Sequence, residues 1–434
     1  MKNLIKSQEL RRKIMVLLLC LGVFKVGMHI YVPGIDRRAL DGLADSGGMF
    51  SVMNTFTGGA LSNFSIFAIG IMPYITASII IQLLQMNVVP KLTEWKEQGA
   101  YGQAKVKNLT YVLTLFFAGI QALVLSFSFN KMYTGLVKDP SVMSFMLIAF
   151  VLTMGTVILV VLGEVIERKG IGKGISMIIL AGILMMLPDN IAMYYDMTFI
   201  GEEEMFIPIV KTVLIVAFFV TITLAVIIVN GGERRVPIQS TGGSKYGMGQ
   251  KSFMPFKINM AGVIPVIFAS AMFMMPMTII QMLGKEGSKI TSYIGFDSYV
   301  GIILYALIII MFTYFYAFVQ MDPEKIAKNI QQNNSYVPTI RPGKDTETYF
   351  RNIVTRLTFV GSLFLAIVSV IPILLGKVVI LPEQLMFGGT SIIIIVSVVV
   401  DLKNTLGVEM KKSSYQKYKE NKSGTLWKVE PKKV

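Results

Sequence analysis

The sequence predicts an all-α polytopic membrane protein, with ten transmembrane helices in two inverted halves of five and a short half-helix beside them. Three observations carry this prediction: the composition, ten long apolar runs, and the distribution of basic residues between the runs. Of the 434 residues, 53% are hydrophobic and 15% are charged, and the mean hydropathy is +0.63. Soluble domains are far less apolar, so most of the chain is expected to lie within a lipid bilayer.

The ten apolar runs set the order of the elements. Each is close to the length that a helix needs to cross the hydrocarbon core, about 17–25 residues. The connection 188–205, which follows the fifth run, holds five acidic residues and no basic residue, and we expect it to be an outer loop. The runs occupy 14–33, 65–86, 108–129, 142–163, 171–187, 206–230, 258–283, 299–320, 356–376 and 386–402.

Lys and Arg are concentrated in alternate connections. Residues 1–13, four alternate loops and the tail 401–434 hold 31 of them, whereas the five remaining loops hold seven. By the positive-inside rule both termini are expected in the cytoplasm. Two basic connections, 231–257 and 322–354, are long enough to predict ordered, protruding hairpins or loops. The tail from Lys403 is predicted to be either a solvated basic tail near anionic lipid or a partner-binding segment.

The stretch 49–85 is a membrane segment with interruptions. Gly58-Gly59, Gly70 and Pro73 break an otherwise apolar run, and each glycine or proline weakens or ends a helix. We therefore expect a half-helix at 49–64 followed by a full span. Non-helical backbone survives in lipid only where it is buried in protein or lines a wet cavity. The sequence thus predicts that this stretch lines a path through the membrane.

An internal repeat relates the two halves of the chain. Residues 70–78 (GIMPYITAS) and 262–270 (GVIPVIFAS) share the pattern G-x-x-P-x-I-x-A-S, in the second and the seventh run. Five spans per half is an odd number, so the halves are expected to be inverted repeats. We divide the chain into an N-terminal half at 1–190, a C-terminal half at 191–404 and a basic cytoplasmic tail at 405–434.

Polar groups that could carry catalysis are scarce in the predicted spans. Cys20 and His29 are the only cysteine and histidine, so no disulfide framework or Cys/His metal site is expected. An intramembrane protease would have to use His29. A small-solute secondary transporter would need charges near the midplane. Lys25 is the one clear charge inside a span, and Lys211 and Glu164 lie at span edges. We predict no enzyme activity, no catalytic residue, no metal and no cofactor.

Isoleucines take the place of polar groups just after the helix breaks. A pore closed by such side chains would exclude water and ions by dewetting. On spacing alone, however, ordinary packing or lipid contact is the preferred interpretation. These isoleucines are Ile71, Ile75, Ile175, Ile179, Ile267 and Ile394.

Six motifs of this chain closely resemble the SecY family, the channel subunits of the bacterial protein-translocation complex. The resemblance extends over nearly the whole chain. It is carried by residues 54–85 (NTFTGGALSNFSIFAIGIMPYITASIIIQLLQ), 162–176 (LGEVIERKGIGKGIS), 255–270 (PFKINMAGVIPVIFAS), 336–344 (YVPTIRPGK), 355–366 (TRLTFVGSLFLA) and 387–395 (FGGTSIIII).

The resemblance implies a clamshell of two five-span halves with an hourglass pore between them. The six isoleucines named above fall on the pore-ring positions of the family, which reverses the preference for ordinary packing. Residues 49–62 resemble the plug that fills the outer funnel, with Met49, Asn54, Phe56, Gly58, Gly59 and Leu61 as its representative residues and Gly58-Gly59 as a hinge. A lateral gate is implied at Ser78, Gln121, Gly262 and Pro265.

The same resemblance implies partners. The loops 231–257 and 322–354 resemble the surface on which the SecA motor ATPase and the ribosome dock, through Arg341, Arg234 and Arg235. Membrane subunits resembling SecE and SecG, secretory precursors with their signal peptides, and the bilayer of the bacterial cytoplasmic membrane complete the expected set. The stretch 240–255 departs from the family pattern and is poorer in charge, which leaves an accessory paralogue with a restricted set of substrates as an alternative.

Overall fold

The computed structural model describes residues 8–36, 49–85, 88–132, 135–200, 206–240, 252–282, 295, 298–378 and 388–426. The tip of the connection 231–257, at 241–251, lies outside the described residues. So do most of the predicted outer loops 34–48, 284–298 and 377–385, the acidic Glu202-Glu203-Glu204, and the last eight residues of the tail.

Thirteen α-helices and three short β-strands make up the described part of the chain. In chain order they are α1 (Gln8–Gly27), α2 (Met49–Thr57), α3 (Met72–Leu84), α4 (Pro90–Glu97), α5 (Gly99–Met132), α6 (Val142–Lys169), α7 (Gly174–Phe199), α8 (Phe206–Gly231), β1 (Glu233–Ser240), β2 (Ser252–Lys257), α9 (Ile264–Met282), α10 (Tyr299–Gln320), α11 (Pro323–Gln332), β3 (Ser335–Tyr336), α12 (Lys344–Val378) and α13 (Gly388–Leu426).

The ten apolar runs correspond to ten of these helices: α1, α3, α5 to α10, α12 and α13. Within the described residues, seven helical segments are long and apolar enough by themselves to cross a membrane, and α1, α3 and α9 are not among them. Helix α3 has only 13 residues, because the chain just before it is not helical. The prediction of a multi-pass helical protein is confirmed.

The predicted breaks in 49–85 are confirmed, but two element bounds were wrong. Helix α2 ends at Thr57 rather than at 64, and α3 begins at Met72 rather than at 65. Gly58, Gly59 and Gly70 have φ of +71°, +90° and +66°, a left-handed backbone that ends a right-handed helix. Pro73 falls in the first turn of α3, where its missing N–H costs no helical hydrogen bond.

Two connections contain more helix than predicted. Helix α7 continues through Pro188 to Phe199, so the outer loop predicted to begin at 188 was wrong over 188–199. One proline removes a single helical hydrogen bond, and the hydroxyl groups of Tyr194 and Thr212, 3.0 Å apart, hold the extension against α8. Helix α13 likewise runs without a break from Gly388 to Leu426, well into the predicted tail.

The packing of the spans repeats in the two halves. In the N-terminal half α3 packs on α5, α5 on α6, and α6 on α7. In the C-terminal half α9 packs on α10, α10 on α12, and α12 on α13. The second, third, fourth and fifth spans of each half therefore follow the same order of contacts, which agrees with the internal repeat. The halves meet along two seams, where α3 and α5 contact α9 and where α13 contacts α7.

A small sheet joins the two long connections 231–257 and 322–354. Their pairing was not predicted from the sequence. Strand β1 pairs antiparallel with β2 and, through Gln239 and Ser240, with β3, in the order β2-β1-β3. We call β1, β2, α11, β3 and residues 344–354 the sheet module. Its apolar core is formed by Val236, Phe256, Met260, Ile330, Val337, Phe350, Ile353 and Val354.

Gly155 on α6 offers a test of how tightly the broken segment is held. A Cβ at Gly155 would overlap the carbonyl oxygen of Ile66, so Gly155→Ala should lower the free energy of unfolding by about 1–3 kcal/mol through overpacking. Gly119→Ala on α5 is the control, because nothing lies within 4 Å of a Cβ there. Thermal unfolding in detergent measures both variants. Equal melting temperatures would contradict the packing described here.

Candidate functional site

The six isoleucines take part in one extended apolar cluster that contains residues of both halves. Five are buried, with exposed fractions of 5% for Ile71, 4% for Ile75, 2% for Ile179, 4% for Ile267 and 0% for Ile394, and all five belong to one hydrophobic cluster. Ile175 is partly buried and packs against the same cluster. The six residues come from both halves of the chain, although up to 323 positions separate them (Ile71 to Ile394).

These side chains lie on four helices that contact one another in two pairs. Ile71 and Ile75, at the start of α3, are four residues apart, as are Ile175 and Ile179 in α7, so each pair lies on one helix face. Helix α3 contacts α9, which carries Ile267, and α7 contacts α13, which carries Ile394. All six side chains are branched hydrocarbons. These six side chains therefore carry no group that could coordinate an ion or relay a proton.

The segment 49–62 lies beside this cluster. Met49 begins α2. Asn54 and Phe56 are buried in the same helix, and Phe56 belongs to the isoleucine cluster. Gly58 and Gly59 form the buried turn after α2, and Leu61 belongs to a second cluster with Phe64 and Phe129. Two apolar clusters thus hold this segment.

The predicted gate residues lie on both sides of one seam. Ser78 on α3 and Gln121 on α5 are half-buried, and Ser78 accepts a hydrogen bond of 2.9 Å from the Gln82 side chain. Across the seam, Pro265 is buried in the first turn of α9, and Gly262 precedes that helix with φ of +66°. In the structure α3 and α5 both contact α9, so the two sides of the seam are in contact.

A cavity of about 750 Å³ opens between the isoleucine cluster and the sheet module. Its walls include Met177 and Val263 from the isoleucine cluster, and Pro255 and Lys257 from the sheet module. The lining mixes basic and acidic side chains, so it offers no strong preference for one sign of charge.

Two ion pairs lie in the lining of this cavity and were not predicted from the sequence. Lys13 Nζ lies 2.9 Å from Glu409, and Lys173 Nζ lies 3.9 Å from Asp401. Both pairs link the N-terminal half to α13. The hydrogen bond to Glu409 raises the pKa of Lys13, which precedes the first apolar run, above its ordinary value. The signal in the sequence was the presence of two acidic residues in a segment otherwise rich in lysine.

The three predicted docking arginines all belong to the sheet module or its edge. Arg234 and Arg235 are exposed on β1, where Arg235 pairs with Glu233 at 2.6 Å. Arg341 is exposed in the turn before α12, and its carbonyl accepts a hydrogen bond of 2.8 Å from Thr346. Because β1 pairs with β3, the two connections that carry these arginines form one surface.

A family model described as SecY matches residues 65–403 of the chain. The chain belongs to the SecY family. It is 43% identical over 419 residues to the protein translocase subunit SecY of Staphylococcus carnosus, covering 95% of this chain and 97% of that protein. The predicted family membership is confirmed, and these matches favour neither the small-solute transporter nor the intramembrane protease.

Solved structures support the same fold. One is a SecY protein whose plug domain is described as stabilizing the closed state of the translocation channel and maintaining a membrane seal. It has a TM-score of 0.62 at 18% identity and covers 94% of this chain and 93% of that one. Another is Sec61 in a canine ribosome–channel complex from the endoplasmic reticulum, with a TM-score of 0.60 at 17% identity and 94% coverage of both chains. At these identities the likeness establishes the fold.

The core of the sheet module can be tested with a matched pair of phenylalanines. Phe350 is fully buried and stacks on Phe256 with ring centroids 5.5 Å apart, whereas Phe253 on β2 is 51% exposed. Phe350→Ala should cost about 3–5 kcal/mol and open the module to trypsin at Arg234 and Arg235. Phe253→Ala should leave cleavage slow. Similar cleavage rates in the two variants would contradict a packed module.

Proposed function

We propose that this chain is a protein-conducting channel, which translocates secretory precursors across the bacterial cytoplasmic membrane and releases transmembrane segments sideways into it. The observation that carries the proposal is the burial of isoleucines from both halves in one apolar cluster, beside a cavity of about 750 Å³. These isoleucines would form the constriction of the pore. A chain passing through would push the six isoleucines apart. Their flexible hydrocarbon side chains would then fit around varied residues while still excluding water and ions.

The segment 49–62 is proposed as the plug of the resting channel. Phe56 is buried in the same apolar cluster as the isoleucines, and α2 contacts α7, which supports a resting position beside the proposed constriction. A plug of this kind adds a second barrier to the hydrocarbon constriction. It has to leave when a chain enters, which requires that its contacts be numerous enough to hold it and weak enough to release it.

The seam between α3, α5 and α9 is proposed as the lateral gate. A segment that reaches an opened seam can partition between the pore and lipid according to its own side chains. Leucine-like residues favour lipid, and each charged residue at the membrane centre costs about 2.5–3.5 kcal/mol. Sorting of signal peptides and transmembrane segments then needs no chemical step. We assign no catalytic residue to the chain, because the energy for transport would come from a partner.

We propose that those partners dock on the sheet module, with both termini of the chain and the module itself in the cytoplasm. Exposed Arg234, Arg235 and Arg341 would meet acidic groups of the SecA motor or phosphates of ribosomal RNA. Membrane subunits resembling SecE and SecG would complete the complex. The division into halves at 1–190 and 191–404 and a tail at 405–434 remains a proposal, and α13 crosses its last boundary as one helix.

Crosslinking tests the path of the translocated chain. In a Cys20→Ala background, Ile75→Cys and Ile267→Cys should each form a disulfide with a single cysteine in a stalled secretory precursor, because both side chains lie in the constriction. Ile303→Cys on α10, a position 61% exposed on the outer surface, should not. Absence of capture at both ring positions, in vesicles that still translocate the precursor, would overturn the assignment of the pore.

Charge reversal tests the docking surface. Arg341→Glu should lower motor-driven translocation about thirtyfold or more, since loss of one partner of a charge pair buried on docking costs about 2–5 kcal/mol and about 1.4 kcal/mol corresponds to tenfold. Lys325→Glu makes the same change of charge at another exposed position of the module, on α11, and should retain transport. The readout is the rate of precursor uptake at fixed motor concentration. Equal losses would show that net charge matters and the position of Arg341 does not.

A further inference from the structure

A contact between two glycines fixes the turn after α2 against α7. A Cβ at Gly58 would lie 2.8 Å from the Cα of Gly182, and a Cβ at Gly182 would lie 3.0 Å from the carbonyl oxygen of Phe56 and 3.3 Å from the backbone nitrogen of Gly58. Real side chains essentially never approach other atoms below 3.0 Å. The backbones touch here only because both positions lack a side chain.

The contact continues the row of residues that lines the constriction. Ile175, Ile179, Gly182 and Met186 follow one another on α7 at spacings of four, three and four residues, which places them on one helix face. A Cβ at Gly59 would lie 2.9 Å from the sulfur of Met186. One face of α7 therefore supplies first the isoleucine constriction and then the surface on which the turn 58–59 rests.

The turn itself is held together by Asn54. The Asn54 side-chain oxygen accepts a hydrogen bond of 2.9 Å from the backbone N–H of Ser62, and its carbonyl accepts one of 2.9 Å from the N–H of Gly59. The Thr57 hydroxyl donates to the same carbonyl at 3.2 Å. Residues 54–62 thus form a closed loop that rests on α7 as one body.

We propose that Gly182 is a positioning residue of the channel: the absence of its side chain creates the seat that holds the plug in the resting position, on the face of α7 that also carries Ile175 and Ile179. This inference rests on the proposed plug function of 49–62. A side chain at Gly182 fills the seat and pushes the plug away from the constriction, so the resting channel leaks while its capacity to translocate remains.

The seat is best tested by substituting Gly182 on α7 rather than the glycines of the turn 58–59. Gly58 and Gly59 have positive φ, so any substitution there also strains the backbone. Gly182 lies within a regular helix, where alanine is more favourable than glycine. Gly182→Ala therefore changes the seat without weakening α7, and Gly182→Leu enlarges the effect. Gly22→Ala on α1 is the matched control, because nothing lies within 4 Å of a Cβ at that position.

The experiment measures the leak of anions across the membrane of proteoliposomes. They contain the full channel, which is purified together with its accompanying membrane subunits. Gly182→Leu should raise the resting leak about tenfold, which corresponds to about 1.4 kcal/mol, because its side chain overpacks the seat. Gly182→Ala should raise it by a smaller factor, and Gly22→Ala should leave it unchanged. The same substitutions are then made in a chain that lacks residues 49–62.

The outcomes distinguish a failure of the proposed seat from a failure of the proposed plug function. If deletion of 49–62 leaves the leak at its resting value, the plug function itself is wrong. If the deletion raises the leak but Gly182→Leu and Gly182→Ala do not, the seat is wrong. The proposal expects the Gly182 substitutions to add nothing in the deleted chain. A further increase there would mean that they distort the isoleucine constriction directly, which also overturns the seat.

Discussion

A membrane chain must pair the polar groups of any backbone that leaves the helical path, and the rest of this fold depends on how residues 58–71 meet that requirement. The N–H of Ile66 donates to Ile30 at 3.0 Å, and the N–H of Val32 donates to Phe64 at 3.2 Å. On the other side, the hydroxyl of Thr156 donates to the carbonyl of Gly70 at 3.2 Å. The irregular segment is thereby enclosed between the end of α1 and α6.

Enclosing that segment leaves α3 short and brings its first turn, with Ile71 and Ile75, to the level where the halves meet. The two seams between the halves then differ in character. Helices α3 and α9 contribute isoleucines to the isoleucine cluster at one seam, and α7 and α13 contribute them at the other. At the second seam, α13 is also tied to the N-terminal half by the ion pairs Lys13–Glu409 and Lys173–Asp401. The first seam can part into lipid without separating these ion pairs, which supports the gate proposed there.

Local sequence signals predicted a large part of this structure. Glycine and proline marked the breaks at Gly58-Gly59, Gly70 and Pro73, and hydropathy located the ten spans. The predictions failed where contacts with other parts of the chain outweighed a local sequence signal. Pro188 was read as a boundary but lies within α7, and the connections 231–257 and 322–354 were read as separate although Gln239 and Tyr336 pair in one sheet. The isoleucines were assigned to a pore ring from the resemblance to the SecY family, because their spacing alone favoured ordinary packing.

Hydropathy and backbone preference act over a few residues, so the class of protein, the number and order of the spans, and the places where a helix has to stop follow from the chain alone. Which side chains meet depends on the packed fold. The burial of Ile75, Ile179, Ile267 and Ile394 in one cluster, and the close approach of Gly58 to Gly182, involve residues 88 or more positions apart. Such contacts depend on the packing of whole helices, so no window of sequence contains them.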